Sequence, residues 1–100
     1  MFHYVLFWLK DPHNSKARKT MEKGLKKLIT ISTIKSSHIG TPADTPRRDV
    51  VDHSFTYSLL VSFEDIAAHN SYQDDPVHHE FVADCAHLWE SVKVSDSVSL

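Results

Sequence analysis

Two histidines and one tyrosine of this 100-residue chain have the chemistry and the neighbours needed to move a proton near neutral pH. The stretch SYQDDPVHHEF, Ser71 to Phe81, holds Tyr72 and His78, and the segment FHYVLFWLK, Phe2 to Lys10, holds His3. Asp75 before Pro76 has the form of a helix start: the carboxylate caps the first turn, and proline, which lacks an N–H, suits the first helical position. Capping leaves His78 unexplained. This residue precedes Phe81, Val82 and Cys85 by three, four and seven positions, so it shares their helix face and points inward, whereas His79 points to solvent. An inward imidazole in the first helical turn feels the positive end of the helix dipole and loses hydration. Both effects favour its neutral form, a general base near pH 7. The chemistry expected of this set is cofactor-independent proton abstraction next to a carbonyl. His78 would be the base, with Tyr72 or His3 polarising or orienting the substrate oxygen. A plainer reading stands beside each: His78 and His3 as hydrogen-bonded structural histidines, Tyr72 as a packing aromatic with a bonded hydroxyl.

Other reactive residue types are less suggestively placed. His13, His38, His53, His69 and His87 are scattered, and His78 and His79 face apart, so no set has ligand spacing and no metal is expected. A metal site would require His3 and His78 to converge with Asp74 or Asp75. Cys85 lies on the apolar helix face without an activating neighbour, which suits packing rather than nucleophilic attack. With only Gly24 and Gly40, the chain cannot build a glycine-rich phosphate loop, and no cofactor is expected.

The elements that must bring these residues together follow from periodicity. Phe2 to Lys10 is aromatic and β-branched enough for a strand, with Phe2, Tyr4, Leu6 and Trp8 on one face and His3, Val5, Phe7 and Leu9 on the other. Both faces are largely apolar. Helices on one side of a sheet cover only one of them, so the second is expected to meet another subunit. Ala17, Met21, Leu25, Leu28 and Ile29 then recur at helical spacing, IKSSHIG reads as a peripheral strand, and TPADTPRRDVVD, Thr41 to Asp52, has the composition of an exposed loop. Phe55, Tyr57, Leu59, Val61 and Phe63 alternate with smaller or polar residues in a central strand. A short helix, EDIAAHNSY, leads into a longer one from Pro76 whose stripe of His78, Phe81, Val82, Cys85, Leu88, Trp89 and Val92 is buried. Val92, Val94, Val98 and Leu100 close the chain as a last strand. The order β-α-β-β-α-β is the α+β ferredoxin-like arrangement, one domain over residues 1–100.

Composition bounds the partners. Residues 1–35 hold eight Lys/Arg against two acids and residues 36–100 hold three against eleven, so the two parts carry about +6 and −8. The basic residues alternate with apolar helix positions and no aromatic interleaves them, as on a solvated face, so no nucleic acid is expected as a partner. No transmembrane-length apolar run and no leader is apparent, and one cysteine excludes an intramolecular disulfide framework; no membrane partner and a cytoplasmic setting are expected.

The segments HYVLFWLK at His3 to Lys10, VSFED at Val61 to Asp65 and YQDDPVHHEF at Tyr72 to Phe81 resemble the stress-responsive A/B barrel (Dabb) family, and the likeness covers nearly the whole chain. The histidine opening the first strand and the Pro-x-His-x-x-Phe of the late helix are its most specific marks. The resemblance implies a ferredoxin-like fold whose sheets pair face to face in a homodimeric barrel. In one plant branch it implies closure of a linear polyketide by intramolecular aldol condensation. Matched residue by residue, His78 corresponds to that branch's catalytic base, His3 to the strand-one histidine beside it and Tyr72 to a pocket tyrosine. Leu25 stands where the branch has a further pocket tyrosine, so the same substrate does not follow. The expectation is a small homodimer of unassigned, stress-related role, holding a modest apolar or aromatic ligand between sheet and helices. A polyketide-cyclase-like enzyme and, by analogy with other dimeric barrels, a cofactor-free monooxygenase are the catalytic alternatives.

Overall fold

A computed structural model of residues 1–100 has the element order β1 (Phe2–Leu9), α1 (Ser15–Leu28), β2 (Ser36–Gly40), β3 (Tyr57–Ser62), α2 (Ile66–Asp74), α3 (Pro76–Cys85) and β4 (Trp89–Ser97). The strands form one antiparallel sheet in the order β2-β3-β1-β4, the ferredoxin-like topology. Each helix begins at a residue whose side chain accepts from a first-turn backbone N–H: Asn14 from Ala17, Asp65 from Ala68, and Asp75 from Val77. Pro76 takes the first position of α3, as its fixed φ and missing N–H favour.

The core fills the space between one sheet face and the helices. Val5, Phe7 and Leu9 of β1 and Tyr57, Leu59 and Val61 of β3 point into it, and Met21, Leu25 and Leu28 of α1 and Phe81 and Cys85 of α3 close it. Helices α1 and α3 approach closely at Gly24, where an added Cβ would lie 2.7 Å from the Cys85 Sγ and 3.1 Å from the Phe81 ring. No helix covers the other sheet face, where Phe2 and Tyr4 are 47% and 40% exposed and the loop before β3 reaches only part of it, through Ser54 on Trp8. The two-sided apolar character of β1 therefore corresponds to one packed face and one unpartnered face.

Two boundaries differ from the periodic reading. The helix from Pro76 ends at Cys85, a single 3₁₀ turn covers Ala86–Leu88, and Trp89 already belongs to β4. The cause is sheet pairing: Lys10 N–H donates to the Leu88 carbonyl at 2.9 Å and Trp89 sits opposite Leu9, so the edge of β1 captures these residues. Trp89 still packs against the core, with its indole centroid 5.2 Å from the Phe7 ring and 5.6 Å from the Phe81 ring. An apolar spacing of three and four thus persists across a change of backbone. At the other end, β4 stops at Ser97, and Val98 and Leu100 lie exposed beyond it. Phe55 precedes β3, where Thr56 ties the chain to β1 through its N–H to Phe7 at 2.7 Å and its hydroxyl from Leu9 N–H at 3.1 Å.

Candidate functional site

His3, Tyr72 and His78 come from three elements and line the same cavity of ≈ 170 Å³ between the sheet and α3. His3 occupies the buried face of β1 because strand alternation puts it in line with Val5, Phe7 and Leu9. Tyr72 lies in the last turn of α2 and is 1% exposed, while His78 is half-buried at the third position of α3 and His79 is exposed. The break between the two helices at Asp75 turns Tyr72 against His78: their rings meet edge to face with centroids 4.9 Å apart. On its other side Tyr72 stands 5.9 Å from the His3 ring. Gln73 adds one more polar group to the wall, and the rest is apolar, including Val5, Phe7, Leu59, Phe81 and Trp89.

Burial is the main cause of the site's electrostatics. It lowers the pKa of His78 below the ordinary histidine value, and the nearby imidazoles of His79, His3 and His69 add to the effect while Asp75 opposes it. The charges thus confirm what lost hydration does first: His78 favours the neutral base. Burial raises the Tyr72 phenol well above the usual tyrosine range, so it stays a neutral hydroxyl, a hydrogen-bond donor rather than an acid. No hydrogen bond within the protein uses the Tyr72 hydroxyl or the His78 ring, so both remain free for a bound molecule.

His3 is held from behind. Its Nδ1 donates to the Asp96 Oδ1 at 2.5 Å, and because a carboxylate only accepts, this contact puts a hydrogen on Nδ1. No sequence pattern marks Asp96 as a site residue. It faces inward because Val92, Val94 and Asp96 alternate on β4 opposite Phe7, Val5 and His3, a register that no single-strand pattern reveals. His69 is the second addition: its ring centroid lies 4.8 Å from that of His3 and 5.5 Å from that of Phe63. Its spacing of three before Tyr72 on one helix was the available signal. His3, His69 and Asp96 present ligand atoms within 4.8 Å of one another, so this is where a metal could be held, in place of the convergence with His78 and Asp74 or Asp75. Cys85 is buried beneath α1, where burial pushes its thiol up to about 11. Leu25 is buried in the core and Leu28, one turn later, reaches the cavity wall.

Solved structures with this topology span the chain. A Dabb family protein from Mesorhizobium loti, described as having a ferredoxin-like fold, is 27% identical with a TM-score of 0.78, covering 99% of this chain and 95% of its own. A protein from Arabidopsis thaliana is also 27% identical, with a TM-score of 0.74 and 99% and 98% coverage. A hydroxynitrile lyase from Passiflora edulis shares the fold at 20% identity and a TM-score of 0.75, covering 94% of this chain and 87% of its own. Other proteins of the fold, from Thermobifida fusca and Bacteroides fragilis, are described as dimeric. No curated protein matches the sequence. The stress responsive A/B barrel domain matches residues 1–99, from the strand that carries His3 through the one that carries Asp96, and the chain belongs to that Dabb family.

Proposed function

We propose that the protein is a homodimer, joined through the uncovered sheet face, whose inner cavity takes a small apolar or aromatic carbonyl compound and supplies a base to it. The observation that carries this reading is the meeting of His78, Tyr72 and His3 on one largely apolar cavity. Each group has a role that its surroundings favour. His78, neutral and without a protein partner, takes a proton from the carbon beside the carbonyl. The Tyr72 hydroxyl donates to the oxygen as negative charge grows there, and the apolar wall strengthens that interaction. His3, oriented by Asp96, positions the substrate from the opposite side. The enolate formed would then attack a second carbonyl of the same molecule in an aldol closure, after which protonated His78 returns its proton to the new alkoxide. Nothing is oxidised or reduced.

The size of the space limits the substrate. A cavity of about 150 Å³ is large enough for benzene, so ≈ 170 Å³ suits one ring or a chain that folds into one. The test is a panel of β-keto acids, phenolic acids and hydroxynitriles, followed by the histidine ring signals in NMR and by product formation. The expected outcome is that one compound class shifts the His78 signals and is turned over, and that His78→Gln lowers turnover by at least roughly 100-fold with the fold intact. Turnover that His78→Gln leaves unchanged would remove the mechanism. Binding without turnover of any compound would make this a ligand-binding dimer instead.

A further inference from the structure

We propose that His3, His69 and Asp96 form a binding site for a divalent transition-metal ion of the zinc, cobalt, nickel or copper class. The three residues come from β1, α2 and β4, and their donor atoms lie within 4.8 Å of one another. Two imidazoles and one carboxylate are the donor set of borderline metals, whereas magnesium and calcium favour all-oxygen shells. His3 and Asp96 are register partners on adjacent strands, so the sheet holds them side by side. His69 is set over them by α2.

The adjustment that binding requires is small. An ion with bonds of about 2.0–2.2 Å bridges ligand atoms up to about 4 Å apart, so the His69 ring must swing inward by about 1 Å. The contact between His3 Nδ1 and Asp96 Oδ1 must open from 2.5 Å to about 3 Å. His69 gives up little in moving: it is half-buried, and its ring nitrogens reach only the Asn70 Oδ1 at 3.1 Å and the Gln73 Nε2 at 3.4 Å. The Nδ1 atom of His3 can ligate only in the tautomer whose hydrogen sits on Nε2, so binding moves the hydrogen off Nδ1. The Phe63 and Tyr72 rings, 5.1 Å apart, wall the site on the core side and strengthen charge interactions there. Asp96, 44% exposed, leaves an entry from solvent and a fourth position for water. Neither His78 nor Tyr72 is among the three ligands, and metal binding is read directly, without turnover.

Chelator-treated protein titrated with cobalt, read by the visible absorption of the bound ion and competed with zinc, tests the site. The expected result is one ion per chain with a micromolar Kd. His69→Asn and Asp96→Asn should each weaken binding at least roughly tenfold, and His79→Gln and His87→Gln should leave it unchanged. Saturating zinc should also raise the Tm of the unmodified protein, a measurement that needs no variant. No saturable absorption band, an affinity that His69→Asn does not move, or a loss on His79→Gln instead would each overturn the site.

Discussion

His78 joins three properties on one half-buried imidazole: an inward direction, a lowered pKa and no protein partner. The sign of the pH dependence follows. Because its folded pKa lies below the unfolded value near ~6.5, the folded state resists protonation. His78 therefore contributes stability that is fully present above ~6.5 and is lost as the pH falls through the window between the two values. The same shift sets the reaction profile: the acidic limb of kcat/KM should fall below ~6.5, and should vanish from the residual activity of His78→Gln. A limb at or above the ordinary histidine value would mean that another group carries the proton. His78 was legible from its helix period and the Pro-x-His-x-x-Phe motif, His3 from strand alternation, and Tyr72 from its place just upstream of the late helix and from the family likeness. Asp96 and His69 were not. Their importance arises from a cross-strand register and a ring over the sheet, and both are long-range facts.

At the scale of elements, α1 and α3 set the depth of the cavity because α3 carries both Phe81 and His78. Gly24 lets the two helices approach to the point where a methyl group would meet the Cys85 Sγ at 2.7 Å. Helix propensity alone favours alanine there by about 1 kcal/mol. Overpacking costs about 1–3 kcal/mol and outweighs it, so Gly24→Ala should lower stability by up to about 2 kcal/mol in urea unfolding. A gain in stability would show that the helices can part freely. The same region explains why one boundary was misplaced. Leu88 and Trp89 keep the helical spacing of His78 and Phe81, but the open edge of β1 offers them hydrogen bonds that a continued helix would forgo. Caps and periodicity located the elements; competition between a helix and a sheet edge decided where one yielded to the other.

For the molecule as a whole, the fold was legible because order and alternation leave few topologies, and the uncovered face was legible because β1 is apolar on both sides. What covers that face lies outside a single chain. Phe2 and Tyr4 stand exposed on it, and the proposed dimer buries them. Tyr4→Asp should accordingly shift sedimentation toward the monomer and lower the Tm, since so small a domain has little core to spare. A dimer that survives the charge would place the interface elsewhere. The pairing of β1 with β4 has a consequence for how the molecule comes into being. His3 and Asp96 are 93 residues apart in the chain, yet they meet on adjacent strands. Within this domain β1 is made well before β4, so one row of its backbone groups stays unpaired until that strand follows. Closing so long a loop carries the largest entropy cost among the strand pairings, so the candidate site is expected to form late in folding.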